Sequence, residues 1–461
     1  MKNINKIFKK QFIVVLTLAL IATSCDSWID HSINADPDAP TDVPMGLLLP
    51  AIQQSMGYNL VGNNSVRTNN IWMQQFDGVS RQSFTEARYQ LTPADVGNLW
   101  TPIYSEMLMN SSIIVNKSLV EGANSPNFRG VAQVLMATTL NIGSDLFGDM
   151  PFTEALQGGQ NILAPVYDSQ ETIYQNIFDL LDQAIPNLNN TTNSLAVSGD
   201  VVYGGNMTKW VKAANSIKAR AALQLSLKDG NAAYTAALAA AANGFTSNAD
   251  DYKVPFDSDD QNPIYQFMDQ RTDIRMCSTF VDLLASNDDP RLPFYVAKDG
   301  DGNYVGSVPG SETETASRPG DAVAAEDAPT YMMTFAELKF IQAEANLALG
   351  NLAAAQAAYE AGVAASILRV TGAANTDWLT ANINGSPVTL EKIMTQKYIN
   401  SFGTNQAYAD YRRTGFPVLT ITAGSVLPAI PTRFPYPQAE LDYNSDNVPS
   451  VSISDKLWWD N

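Results

Sequence analysis

The sequence predicts an all-α fold, a scaffold of helical hairpins carrying long irregular loops and a few short β-hairpins. Three observations carry this reading. Apolar residues recur at helical spacing, as at Ile173, Ile177, Leu181 and Ala184. The pair Gly350-Asn351 divides two such stretches and reads as a tight interhelical turn. Between the helical stretches lie runs rich in Asn, Asp, Gly, Ser and Pro, at 60–98, 245–275, 286–330 and 409–455. Loops of that length in a compact domain are usually functional.

The chain opens with Lys2, Lys6, Lys9 and Lys10, then the apolar run 12–22, then Thr23 and Ser24 ahead of Cys25. A basic start, a short apolar core and small residues before a cleavage point are the layout of a secretory signal peptide. The run Leu20-Ile21-Ala22-Thr23-Ser24-Cys25 resembles a lipobox, in which cysteine becomes the acylated first residue (palmitate is one such acyl group). Ala22 stands where leucine is more usual. Residues 1–24 are therefore read as a lipoprotein signal peptide and 25–45 as the lipidated N-terminus and tether. Residues 46–461 are read as a single helical domain. Several acyl chains on Cys25 make a stable anchor, where one chain is marginal. No later segment approaches the roughly 18 consecutive apolar residues of a membrane helix.

Hairpin units are expected near 100–147, 171–227, 334–368 and 390–408. Stretch 172–188 carries an apolar stripe, and 207–227 repeats it with Trp210, Ala214, Ile217, Ala221 and Leu225. Stretches 129–146 and 390–408 are further helical candidates. The clearest pair is 335–349 and 352–368. Its pattern, Ala343-Glu344-Ala345, Leu349-Gly350, then Ala357 and Tyr359, resembles a tetratricopeptide hairpin, in which small residues let helices approach and an aromatic wedges between them.

Composition excludes several chemistries. The formal net charge is −19, and removal of residues 1–24 leaves 24 basic residues against 47 acidic ones. Such a surface repels phosphate backbones, so no nucleic-acid partner is expected. The sequence has a single histidine, His31, so a zinc site built on several imidazoles cannot form. A Ser-His-Asp triad would need His31 held rigidly, yet it lies in the tether. With Cys25 acylated, Cys277 has no intramolecular partner and reads as a small buried apolar residue. Two acidic runs, Asp257-Ser258-Asp259-Asp260 and Asp299-Gly300-Asp301-Gly302-Asn303, space oxygens as calcium loops do. In the second, Tyr304 occupies the required glycine position and Gly310 the closing glutamate position. A β-hairpin turn between 294–297 and 304–305 accounts for it better. No metal or cofactor is expected.

Six blocks in order carry a family resemblance. Asn34-Ala35-Asp36-Pro37 and Leu47-Leu48-Leu49-Pro50 open it, and Phe147-Gly148-Asp149-Met150-Pro151-Phe152 with Glu154-Ala155 follows. Gly199-Asp200, Tyr203-Gly204-Gly205 and Lys209-Trp210 with Asn215-Ser216 form the third block. Pro329-Thr330-Tyr331-Met332 with Ala343-Glu344-Ala345 forms the fourth, and Gln396-Lys397-Tyr398 with Tyr411-Arg412-Arg413-Thr414-Gly415 the fifth. Ile430-Pro431-Thr432-Arg433-Phe434-Pro435-Tyr436-Pro437, with Glu440 and Asn444, completes the set. Together they resemble the SusD/RagB family of nutrient-binding lipoproteins. The resemblance implies a tetratricopeptide-containing fold, lipid-anchored on the outer membrane and facing the cell exterior. It also implies a SusC-like TonB-dependent barrel transporter as partner and an oligosaccharide, in some relatives a peptide, as ligand. The block residues themselves read as scaffold. Gly148 and Pro151 end a helix, Trp210 anchors a core, Asn215 satisfies loop backbone, and Arg412 and Arg413 tie loops or carboxylates.

Sugar rings ask for aromatic faces to stack on and for amide, carboxylate or guanidinium groups to meet hydroxyls. Segment 63–100 holds that mixture, including Arg67, Asn69, Asn70, Gln74, Gln75, Phe84 and Arg88. The ligand-binding candidates are Trp72, Phe76, Arg81, Tyr89 and Trp100, with Trp72 and Trp100 also readable as core residues. Phe294, Tyr295, Tyr304 and Trp378 form a second tier, and Trp458 and Trp459 either touch the barrel or pack the chain end. No catalytic residue is assigned. The competing functions are a surface glycoside hydrolase, which needs a carboxyl pair across a cleft, and a purely structural surface protein.

Overall fold

A computed structural model describes residues 42–120 and 124–461. The signal peptide, Cys25, His31 and the tether as far as residue 41 lie outside the described residues. Met45–Asn461 packs as one unit. No helix among the described residues is long and apolar enough to cross a membrane.

The chain is mainly helical. It begins with α1 (Met45–Ser55), α2 (Asn64–Trp72), strand β1 (Phe76–Gly78) and α3 (Arg81–Ala87). The scaffold then runs through α4 (Met109–Lys117), α5 (Pro126–Phe147), α6 (Gln170–Leu188), α7 (Met207–Gln224) and α8 (Asn231–Ala241). A loop-rich section holds β2 (Tyr252–Val254), α9 (Pro263–Gln270), β3 (Ile274–Met276), α10 (Ser278–Ala285) and β4 (Thr330–Met333). The last helices used below are α11 (Phe335–Ala348), α12 (Leu352–Thr371), α13 (Thr376–Asn382), α14 (Leu390–Asn400) and α15 (Gln406–Thr414). Packing is sequential: α4 on α5, α5 on α6, α6 on α7, α7 on α8, α8 on α11, and α11 on both α12 and α14. This is the stacked-hairpin logic of a helical repeat.

The helix starts follow from their caps. Ser169 Oγ accepts the Thr172 amide at 3.2 Å, and Thr334 and Thr389 accept the Glu337 and Lys392 amides at 3.1 and 3.3 Å. Each cap satisfies an amide that the helix leaves without a partner, a contribution of about 1 kcal/mol. On α6 the buried face is Ile173, Ile177, Leu181, Ala184 and Leu188, the stripe expected from spacing. Between α11 and α12, Gly350 has φ +79°, a conformation glycine adopts without strain. Gly362 lets α12 close on α11, since a Cβ there would lie 3.0 Å from the Phe340 ring. Tyr359 is buried at this contact.

Buried ion pairs tie the hairpins to one another. Arg220 reaches Glu337 with two bonds of 2.7 Å and the Met332 carbonyl with one of 2.6 Å. Arg413 grips Glu344 and Asp410, and Lys397 also holds Asp410, at 2.8 Å. Such pairs fix which helix faces meet more than they add net stability, because desolvation offsets attraction. Arg412 instead donates to the Asp145 and Thr432 carbonyls, at 2.6 and 3.0 Å. The adjacent arginines therefore divide the two tasks expected of them.

Among the described residues, the strands form two antiparallel ribbons joining distant segments. β1 pairs with β3, and β2 pairs with β4 across an irregularity at Tyr252/Lys253. Segment 60–98, expected as irregular, contains α2 and α3, and stretch 390–408 breaks into α14 and α15, with Gly403 at φ +77° between them. The acidic turn forms at Asp299, whose carboxylate accepts the Asp301 and Asn303 amides at 3.0 and 2.8 Å. Its flanks do not form the expected hairpin: Phe294 and Tyr295 lie in a short helix, and Val296 bridges to Pro319. Asp257 likewise accepts the Asp259 and Asp260 amides, at 2.8 and 3.1 Å. Both acidic runs are thus self-closed turns, and no group of acids that could hold a metal occurs among the described residues.

Candidate ligand-binding groove

The β1–β3 ribbon brings α2 and α3 next to α9, two regions far apart in the chain. Where they meet, two adjoining hollows of 220 and 270 Å³ share Asn63, Arg67, Gln82 and Asn98. They form one groove. Asn59, Asn64 and Asp95 line one end, and Tyr58, Gln266, Phe267 and Arg271 the other.

Arg67 is the floor. Its guanidinium lies 4.1 Å from the centre of the Phe267 ring. Nη1 bonds Asn63 Oδ1, and Nη2 lies 3.5 Å from Asn64 Oδ1. Its Nε is buried without a hydrogen-bond partner, which leaves a donor unused. Burial lowers the Arg67 pKa, and it pushes the neighbouring Glu86 carboxyl up to about 7 against the pull of that guanidinium. Tyr58 donates to Gln266 Oε1 at 3.2 Å, which sets the amide on the opposite wall. The lining is therefore an aromatic ring, a cation and several amides, the chemistry that meets a sugar with a hydroxyl or amide rim.

The named candidates fare unequally. Trp72 is 0 % exposed, packed edge-on to Tyr408 and Phe434, with Nε1 donating to the Glu86 carbonyl at 3.0 Å. Phe76 is 1 % exposed against Phe402. Tyr89 is 1 % exposed, its hydroxyl 3.3 Å from Thr422 Oγ1. Trp100 is 4 % exposed, stacked on Tyr167 and bonded to Glu440 Oε1 at 3.2 Å. These four side chains are core anchors, because large aromatics gain most by full burial. Arg81 alone reaches solvent, with its side chain 57 % exposed. It pairs with buried Asp273, which also lies 3.7 Å from groove-lining Arg271. Arg81 thus borders the groove through a shared carboxylate.

In the second tier, Tyr295 is buried, Phe294 and Tyr304 are partly open, and Trp378 lines a separate cavity. Trp459 is buried beneath Arg412 and Trp458 lies against Tyr174, so both pack the chain end. Trp210 is a core anchor, donating to Asp200 Oδ2 at 2.8 Å. Asn215 does not serve a loop; it bonds the Val211 carbonyl of its own helix at 2.9 Å. Sequence reading passed over Tyr58, Gln82, Asn98, Phe267 and Arg271. Gln266-Phe267 on α9 lay in a stretch read as irregular, and the aromatic flanked by amide and basic residues was the available signal.

The stacked-hairpin scaffold places the chain in the helical-repeat class. Residues 37–437 match the SusD-like family described as "Starch-binding associating with outer membrane", and the chain belongs to that family. Among solved structures, a chitin-binding protein aligns with TM-score 0.78 at 26% identity, covering 91% of this chain and 100% of its own. A chitin-binding SusD homologue from Flavobacterium johnsoniae aligns with TM-score 0.73 at 24% identity, covering 91% and 97%. A SusD/RagB family protein from Bacteroides thetaiotaomicron aligns with TM-score 0.76 at 24% identity, covering 91% and 99%. Among curated proteins, no sequence matches the chain.

Proposed function

We propose that the chain is a non-catalytic surface lipoprotein, anchored through Cys25 outside the outer membrane. It holds an oligosaccharide in the Arg67–Phe267 groove and delivers it to a SusC-like TonB-dependent barrel transporter. The observation that carries the binding reading is the groove itself. An arginine lies over a ring, and Asn63, Gln82, Asn98 and Gln266 surround them. Family membership supports the outer-membrane site and the nutrient class. Amide-rich walls suit N-acetylated sugars, whose acyl groups give and take amide hydrogen bonds, and two structural neighbours are named chitin-binding. Chitooligosaccharides are therefore the first ligands to try. A hydrolase would need two carboxyls across the cleft. The lining carboxylate Asp95 is engaged in a cap, accepting the Thr92 amide at 2.8 Å and the Thr92 hydroxyl at 2.6 Å.

The test is calorimetric titration with chitin, starch and peptide oligomers, with mass analysis of the recovered ligand. Saturable binding of an intact glycan supports the reading. Release of shortened products refutes it in favour of the hydrolase, and absence of binding across the panel leaves the structural alternative. Anchoring is tested separately: Cys25→Ser should move the protein from the membrane fraction to the soluble one.

A further inference from the structure

A second cavity, of 380 Å³, opens among α10, α12, α13 and α14. None of its lining residues lines the groove. Its size is at the small end of the roughly 300–1,000 Å³ range of small-molecule sites, enough for the end of a chain and not a long stretch. One wall is the half-buried Trp378. Its indole Nε1 donates to the Asn287 carbonyl at 3.0 Å, and its amide is capped by Asn375 Oδ1 at 3.2 Å. The ring is thus held in place while still facing open space, unlike Trp72 and Trp100.

The polar lining is set in advance. Asn287 and Asn382 each give one amide hydrogen to the Leu283 and Trp378 carbonyls, at 2.8 and 2.9 Å, which fixes the side chains and sets their oxygens as acceptors. Gln396 Oε1 accepts from Arg291 at 2.7 Å, which leaves its NH₂ as donor. Burial pushes the Tyr359 hydroxyl up to about 12, so it remains a neutral donor. Asp289 is held by Arg291 at 2.9 and 2.6 Å, Lys392 donates to Ser386 Oγ and the Pro387 carbonyl at 2.6 and 2.8 Å, and Glu391 and Lys392 bring one charge of each sign to the lining. A cavity with an aromatic plate, fixed neutral donors and acceptors and no excess charge selects a neutral polyol over a cation or an anion.

We infer that this cavity is a second sugar site, taking a neutral pyranose unit from an oligosaccharide end and stacking it on Trp378. The inference rests on the glycan-binding reading of the groove. Two separate sites on one chain hold a polymer at two points and raise its effective concentration at each.

The experiment is calorimetric titration of the full chain and its variants with chitooligosaccharides and maltooligosaccharides, with tryptophan fluorescence followed in parallel. The wild-type chain should show two sites. Trp378→Ala should abolish one and its fluorescence response, and leave the site sensitive to Phe267→Ala. Tyr359→Phe, which keeps the volume and removes one donor, should weaken the second site several-fold. Trp378→Phe, which keeps a ring, should retain it within about tenfold. A single site weakened by Phe267→Ala and unchanged by Trp378→Ala and Tyr359→Phe overturns this inference alone. A chain that binds no sugar overturns it together with the groove reading.

Discussion

The guanidinium carbon of Arg67 lies over Phe267, 4.1 Å from the ring centre. The two residues belong to α2 and α9, and the three-residue strands β1 and β3 hold those helices together. The pair links fold to function. It closes the groove floor, and it places the Phe267 ring and guanidinium donors together.

Phe267→Ala removes the ring and the support of the guanidinium. Ring and cation–π contributions of about 1–2 kcal/mol imply roughly tenfold weaker glycan binding. Calorimetry on the variant checks this. Because Phe267 is only partly buried, the melting temperature should change little, which separates a ligand contact from a fold contact.

Trp72→Ala should behave in the opposite way. The side chain is fully buried between Tyr408 and Phe434, so truncation should cost about 3–5 kcal/mol. Chemical denaturation should show that loss, while the folded fraction keeps its glycan affinity. A variant of normal stability that has lost binding would return Trp72 to the ligand surface.

Stability should fall as pH rises from acid toward neutral. Burial pushes Glu86 up to about 7, and Asp77, Asp145 and Asp251 each to about 6. A carboxyl whose folded pKa is raised contributes stability that is complete below its unfolded value and lost as pH rises through the folded value. The window therefore runs from about pH 4 to about pH 7. Asp410 acts in the other sense. Burial would raise its pKa, but Lys397 and Arg413 override this and hold it low, so its contribution is lost on strong acidification. Thermal melts should peak near about pH 4, and Glu86→Gln should flatten the upper limb. A melting temperature that rises steadily to pH 8 or so would contradict the sign.

The scaffold was legible because its signals are local. The α6 stripe repeats every three or four residues, and Gly350-Asn351 marks the turn between α11 and α12. The groove was legible only in part. Asn63, Arg67, Gln82 and Asn98 of its lining fall within 63–100, but the chosen aromatics turned inward. On α2 every residue from Ser65 to Trp72 is buried, so no alternation distinguishes an inward ring from an outward one. The opposite wall, α9, is joined to α2 and α3 through strands too short to show a period of two. Nothing local in the sequence pairs Phe267 with Arg67.

The most direct test of the central claim is a crystal structure of the chain soaked with the tightest-binding oligosaccharide. An intact sugar is expected against Phe267 and Arg67, with hydroxyl or acyl groups within hydrogen-bond distance of Asn63, Gln82 or Asn98. An empty groove with the sugar bound elsewhere, or a cleaved product in the groove, would contradict it.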